Sequence, residues 1–83
     1  MSALENVRLE EIRNRVGALA ILTQSSEPIS YRKFIPNFVG GINDLHREGY
    51  VESIGIGGER SYELTSEGWY YAARFLESAR RIL

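Results

Sequence analysis

Two hydroxyls and two cations stand together at Ser30-Tyr31-Arg32-Lys33. Hydroxyl, guanidinium and ammonium groups are the side chains that hold phosphate oxygens, so this tetrapeptide is a first candidate for binding chemistry. A solvated charged pair on a short helix is its plainer alternative. Arg60 follows a glycine pair and either reaches into a groove of a partner or pairs with Glu59 or Glu63. Gly55-Ile56-Gly57-Gly58 has the glycine content of a phosphate cradle, but it leads into a strand pattern and lacks the following Lys-Ser/Thr. His46 is the only histidine and there is no cysteine, which leaves no metal constellation and no thiol chemistry. Trp69, Tyr70 and Tyr71 have the ring surface to stack on bases, yet Trp69, at helical spacing beside Ala72, Ala73 and Leu76, reads as core or interface. No nucleophile–base pair is suggested, and the acids interleave with arginines as on ordinary helix surfaces. Neither enzymatic activity nor a cofactor is expected.

The charge balance restricts what these groups can do. The chain has 83 residues and a net charge of −1, with 43% hydrophobic and 25% charged residues. That is room for one domain with one core, in the range where partial help from a partner subunit is unsurprising. Arg8, Arg13 and Arg15 face Glu5, Glu10, Glu11 and Glu27 in the first third. Arg32, Lys33, Arg47 and Arg60 face Asp44, Glu48, Glu52 and Glu59 in the middle. Any basic patch must therefore arise from folding, for instance by bringing Arg32, Lys33 and Arg60 to one side. The longest apolar run, Val16 to Leu22, is far short of the roughly 20 residues a membrane span needs. No secretory cleavage pattern follows it, so the expected location is the cytoplasm.

The elements that must position these groups follow from periodicity. Leu9, Ile12, Val16 and Leu19 form one helical stripe, widened by Val7, Ala18, Ile21 and Leu22. The spacing predicts a helix over about 4–24, stopped at Ser25-Ser26-Glu27-Pro28. Ser30 is placed to cap a short helix through Phe34. Pro36 interrupts it, and a third helix is expected over 37–48, with Asn37 as cap and Phe38, Ile42 and Leu45 inward. Gly49 is placed to end it in the left-handed conformation. A second parse turns the chain at Gly40-Gly41 instead. From Tyr50 to Ile56 the period becomes alternating, Gly57-Gly58 reverses the chain, and Arg60 to Leu64 returns as a second strand. Thr65 or Ser66 caps a last helix over about 66–83, with Trp69, Ala72, Ala73, Leu76, Ala79 and Leu83 as its stripe and Phe75 and Ile82 beside it.

The stretch LHREGYVESIGIGGERSYELTSEGWYYAARFL, Leu45 to Leu76, resembles the helix–wing–helix half of winged-helix regulators of the MarR and PadR type. Leu45, Gly49, Tyr50 and Val51 match the end of their third helix. Tyr62, Leu64, Thr65 and Gly68 match their Tyr-x-Leu-Thr-x-x-Gly junction. In size the chain is similar to compact winged-helix proteins of archaea and their viruses, in which case the compartment is the host cytoplasm. The resemblance covers the C-terminal two-thirds and implies an α+β winged helix-turn-helix: three helices, a two-stranded wing and a C-terminal helix over 1–83.

That resemblance also implies roles. Helix 37–48 becomes the element that enters the DNA major groove, presenting Asn37, Gly40, Gly41, Asn43, Asp44 and Arg47. Asn43 suits adenine, and Arg47 suits guanine or a phosphate. Asp44 repels the backbone unless it accepts from cytosine or orients a neighbouring arginine. Two glycines inside a helix each cost about 1 kcal/mol, which points either to close approach of the backbone to a ligand or to fraying at the helix start. Ser30, Tyr31, Arg32 and Lys33 become phosphate contacts, and Gly58 and Arg60 in the wing, 54–62, reach the flanking backbone or minor groove. The terminal helices carry more apolar surface than one small core can cover. A homodimer through residues about 3–22 and 69–83 is expected, using Val7, Ala18, Ile21, Leu22, Trp69, Phe75, Leu76, Ala79, Ile82 and Leu83. The expected partner is double-stranded DNA, in a transcriptional regulator with no membrane contact and no small-molecule effector. The rival is a winged-helix adaptor that binds protein, which the near-neutral charge favours.

Overall fold

A computed structural model describes residues 3–56 and 59–82, with the side chains of 3–7, Ile56 and Ile82 outside the description. The first helix, α1, spans Ala3–Thr23. It is followed by a two-residue strand, β1 (Ile29–Ser30), and a single 3-10 turn over Tyr31–Lys33. Helix α2 spans Val39–Arg47, strands β2 and β3 span Val51–Ile56 and Glu59–Leu64, and α3 spans Ser66–Ile82. The result is an α+β unit of three α-helices and a three-stranded antiparallel sheet in the order β1-β3-β2.

Each boundary has a local cause. Ser30 Oγ accepts from the Arg32 amide at 3.3 Å and so starts the turn that follows it. This segment was expected as a short helix; it is one 3-10 turn, closed by the Phe34 amide on the Tyr31 carbonyl at 3.0 Å. Helix α2 begins two residues later than expected, with Phe38 and not Asn37 at its N-cap and no side-chain cap of its own. Gly40 and Gly41 lie within the helix, so they do not form the turn. At its end the Tyr50 amide reaches the Leu45 carbonyl at 3.0 Å and the Gly49 amide reaches His46 at 3.2 Å. That pair of bonds is a Schellman closure, and it needs the φ of +86° that Gly49 supplies. Of the two expected candidates, Thr65 and not Ser66 caps α3: its hydroxyl accepts from the Gly68 amide at 3.0 Å and donates to the Gly49 carbonyl at 3.1 Å. Gly68 also lets the start of α3 lie directly against the Tyr50 carbonyl, where a Cβ would have no room.

The β2–β3 register pairs Val51 with Leu64 and Ile56 with Glu59. The expected reversal at Gly57-Gly58 lies outside the described residues. Strand β1 was not foreseen. It pairs Ile29 with Tyr62 and Ser30 with Ser61 on the other edge of β3, turning the expected two-stranded hairpin into a three-stranded sheet. Alternation along β3 buries Tyr62 and Leu64 and leaves Ser61 and Glu63 on the opposite face.

All elements feed one core. Leu19, Leu22, Phe34, Ile42, Leu45 and Tyr62 are its largest fully buried side chains, with Ala18, Val51, Leu64 and Ala72 completing it. Burying a Leu, Ile or Phe contributes about 1.5–3 kcal/mol, so α2 is held on its inner face by Ile42 and Leu45 and cannot tilt without opening the centre. Tyr62 forms edge-on contacts with Phe34 and His46, at ring separations of 6.1 and 5.8 Å. Ala18 and Leu22, expected at a dimer interface, are 0% and 2% exposed in this core. They are corrected to core residues: the C-terminal half of α1 is wrapped by the chain's own α2 and β3.

Candidate nucleic-acid interface

With Gly41, Ile42 and Leu45 buried, the face of α2 turned away from the core carries Gly40, Asn43 and Arg47. These three follow at i, i+3 and i+7 and form one exposed stripe. His46 borders the stripe, exposed and leaning on Tyr62. Three expected members do not belong to it: Gly41, Asp44 and Asn37, which precedes the helix. Gly41 is buried: its amide donates to Asn14 Oδ1 on α1, and a Cβ at that position would stand 2.5 Å from the Asn14 carbonyl oxygen. Its small size is required by helix–helix packing, which is neither of the two causes considered from sequence. Asp44 sits on the flank toward α1, where its carboxylate holds the Arg47 guanidinium and lies 3.9 Å from Arg15. It therefore orients a neighbouring arginine, one of its two expected uses.

Asn14 was not singled out from sequence, yet it fixes the start of α2. Its amide nitrogen donates to the Asn37 carbonyl at 2.7 Å while its oxygen accepts from Gly41. The N-terminus of α2, which lacks a side-chain cap of its own, is thus capped from α1. Asn37 enters this arrangement through its backbone, as an exposed residue ahead of the helix. Arg15 was missed as well. Its guanidinium donates to Tyr71 Oη at 2.7 Å, pairs with Glu48 at 2.8 Å, and lies 5.9 Å from the ring centres of both Tyr71 and Phe75. Burial works against its charge, but the Tyr71 hydroxyl and then Glu48 outweigh that and leave its pKa above the ordinary arginine value. One residue thereby ties α1 to the end of α2 and to α3. No local sequence signal marks either residue; the adjacent glycines at 40 and 41 were the only trace of the close helix contact.

The segment before α2 approaches the tip of the sheet through β1. Ser30 Oγ donates to Glu59 Oε1 at 3.0 Å, and Arg32 Nε lies 3.6 Å from the same oxygen. Arg32 and Lys33 are exposed, and Tyr31 is half-buried, 6.0 Å from the Tyr62 ring. Glu59 and Ser61 share the face of β3 on which Ser30 lies, so Arg60 projects on the other face, that of Tyr62. Folding therefore brings Arg32 and Arg60 to the same end of the sheet but on its two sides, with Glu59 neutralising part of the charge. Arg60 forms no ion pair among the described residues, in contrast to its considered pairing with Glu59 or Glu63. Gly58 lies outside the described residues. On the opposite flank of α2 the charge is acidic: Glu10, Glu11 and Asp44 line a groove of about 190 Å³ with Asn14, Gly40 and Gly41.

The residues expected at a dimer interface divide into groups. Trp69 is 44% exposed, which places it outside the core. Ile21, Phe75 and Leu76 are half-buried against the core. Ala79 is 4% exposed and belongs to the interior side of α3, lining a cleft with Val16, Leu76 and Arg80. The side chains of Val7 and Ile82, and Leu83 entirely, lie outside the description. Among the described residues no helix is long and apolar enough to cross a membrane, and no group of three or more His, Cys, Asp or Glu is arranged to hold a metal ion.

No family model, no curated protein and no solved structure matches this chain.

Proposed function

We propose that this chain is a winged-helix domain, similar to MarR- and PadR-type regulators, that binds double-stranded DNA as a homodimer. The observation that carries the proposal is the exposed Gly40-Asn43-Arg47 stripe. It is held on a helix fixed from behind by Ile42 and Leu45, and from its start by Asn14. A helix that presents a polar stripe from a rigid mount is what base-edge readout in the major groove requires. Asn43 offers an amide for adenine, and Arg47, pre-oriented by Asp44, offers a fork for guanine or phosphate. The β2–β3 hairpin is the wing, and Arg60 on one side of it and Arg32 and Lys33 on the other supply phosphate contacts.

The acidic groove on the α1 side of α2 dictates the approach. Glu10 and Glu11, both exposed, repel phosphates, so the DNA backbone passes on the wing side. With a net charge of −1, affinity for arbitrary DNA is modest and shape and dimer spacing carry the specificity. The same acidic groove favours a second reading, an adaptor that binds a basic protein segment. Anisotropy of a labelled mixed-sequence duplex at low salt separates the two. A DNA-binding domain binds it and loses about tenfold or more in affinity when Arg32, Lys33 and Arg60 are all changed to alanine. Absence of binding by the wild-type chain refutes the DNA proposal and leaves the adaptor.

A further inference from the structure

Helix α3 has a face that its own fold leaves uncovered. Ala72 and Ala79 point into the protein. Almost opposite them, the exposed Glu67, Tyr70 and Arg74 follow at i, i+3 and i+7 along the helix, with the half-buried Tyr71 on their flank. With Tyr50 and Phe75 they line one open groove of about 690 Å³. Tyr71 lies between two rings, parallel to Tyr50 at 4.0 Å and stacked on Phe75 at 5.3 Å. Tyr70 is 67% exposed. It is nonetheless held in place, since Arg74 Nη1 donates to its hydroxyl at 3.1 Å and the guanidinium lies 5.4 Å from its ring. An ordered exposed tyrosine, Tyr70, beside an arginine and flanked by the half-buried Tyr71 forms the kind of patch that anchors protein contacts at low entropic cost.

The order of charges along the stripe selects the occupant. An acid stands at 67, a base at 74, and the two tyrosines lie midway. Neither Glu67 nor Arg74 is in an ion pair among the described residues. A two-fold axis between Tyr70 and Tyr71 brings each copy's Glu67 opposite the other copy's Arg74, and the exposed Tyr70 against its counterpart. This is the reciprocal pattern of an isologous contact. A small ligand has no such reason to settle here, because the groove is open and its two charges cancel.

We propose that a second copy of this chain docks on this groove, the two α3 helices crossing antiparallel at Tyr70–Tyr71 with reciprocal Glu67–Arg74 pairs. This inference rests on the homodimer half of the proposed function and is independent of DNA binding. It moves the contact from the α1–α3 apolar flank to the aromatic face of α3.

Sedimentation equilibrium of the full chain tests it. E67R and R74E each place like charges opposite one another twice per dimer, and each weakens self-association by about tenfold. An equimolar mixture of the two variants restores association, because every crossing contact is again between opposite charges; the double variant E67R/R74E regains most of it. Single variants that self-associate as tightly as wild type, or a mixture no tighter than its components, overturn this interface while leaving a dimer through another face intact. A wild-type chain that stays monomeric at every concentration overturns the homodimer itself. Both positions are exposed on α3, so thermal melts that match wild type at concentrations where all the proteins are monomeric place the change in association and not in folding.

Discussion

Asn14→Ala is the most informative single change for how α2 is mounted. It removes the acceptor of the Gly41 amide and the donor to the Asn37 carbonyl together. Loss of an N-cap costs about 1 kcal/mol, with a range of roughly 0.5–2. The Gly41 amide is part-buried and left without its partner, which puts this case in the upper half of that range. The Asn37 bond is exposed, and water replaces it at a cost of a few tenths of a kcal/mol. Against this, alanine is the better helix former within α1 by about 0.6 kcal/mol. The balance is a destabilisation of about 1 kcal/mol, equivalent to a fall in Tm of about 4–8 °C for a domain of this size. Thermal and urea unfolding followed by far-ultraviolet circular dichroism measure it, with Asn43→Ala as control. Asn43 is exposed on the outer face of α2, so its variant gains only the helix propensity of alanine and melts about 2–5 °C above wild type. The sign decides the matter. If Asn14 were only an exposed helix residue, its replacement by alanine would raise Tm; an Asn14→Ala protein as stable as wild type or more so refutes the capping role.

The two glycines of α2 separate in the same assay. Gly40→Ala adds a Cβ at ordinary contact distance, 3.6 Å from Asn14 Oδ1, and stabilises the protein by up to about 1 kcal/mol; Gly41→Ala drives a Cβ against the Asn14 backbone and destabilises it by about 1–3 kcal/mol. Equal effects at both positions would contradict the packing of α2 on α1. At the tip of the sheet, Glu59→Gln removes the negative charge shared by Ser30 and Arg32. On the proposed function it raises duplex affinity by a few-fold at low salt, read by fluorescence anisotropy, because one acid among the proposed phosphate contacts is gone; unchanged or weaker binding contradicts the placement of DNA against this end of the sheet.

The long periodic segments were legible because their signals are local. The α1 stripe, the alternation either side of Gly57-Gly58 and the α3 stripe each identify an element from consecutive residues. Gly49 and Thr65 were legible for the same reason, each doing at one position what only its side chain, or the lack of one, permits. Strand β1 was not legible: two residues after Pro28 contain no alternation, and the strand exists only because β3 offers a free edge. The start of α2 was misplaced because its cap comes from a residue 27 positions away. The bond from Arg15 to Tyr71 spans 56 positions. Ala18 and Leu22 were assigned to an interface because apolarity around a helix shows that it is covered, but not by what. In the candidate site the outward stripe of α2 was legible from helical spacing. The partial neutralisation of Arg32 by Glu59 and the acidic groove beside Gly40 were not, since both join separate parts of the chain.

Binding to duplex DNA as a function of salt tests the proposed function most directly. The labelled mixed-sequence duplex is titrated with wild-type protein at several salt concentrations, and log K is plotted against log salt. A domain that holds phosphates with Arg32, Lys33 and Arg60 gives a line of negative slope, about 0.9 per phosphate neutralised. Lys33→Ala shallows that slope by about 1 and weakens binding to all sequences alike. Binding with no salt dependence, a slope indifferent to Lys33, or no binding at the lowest salt contradicts a DNA-binding role for this surface.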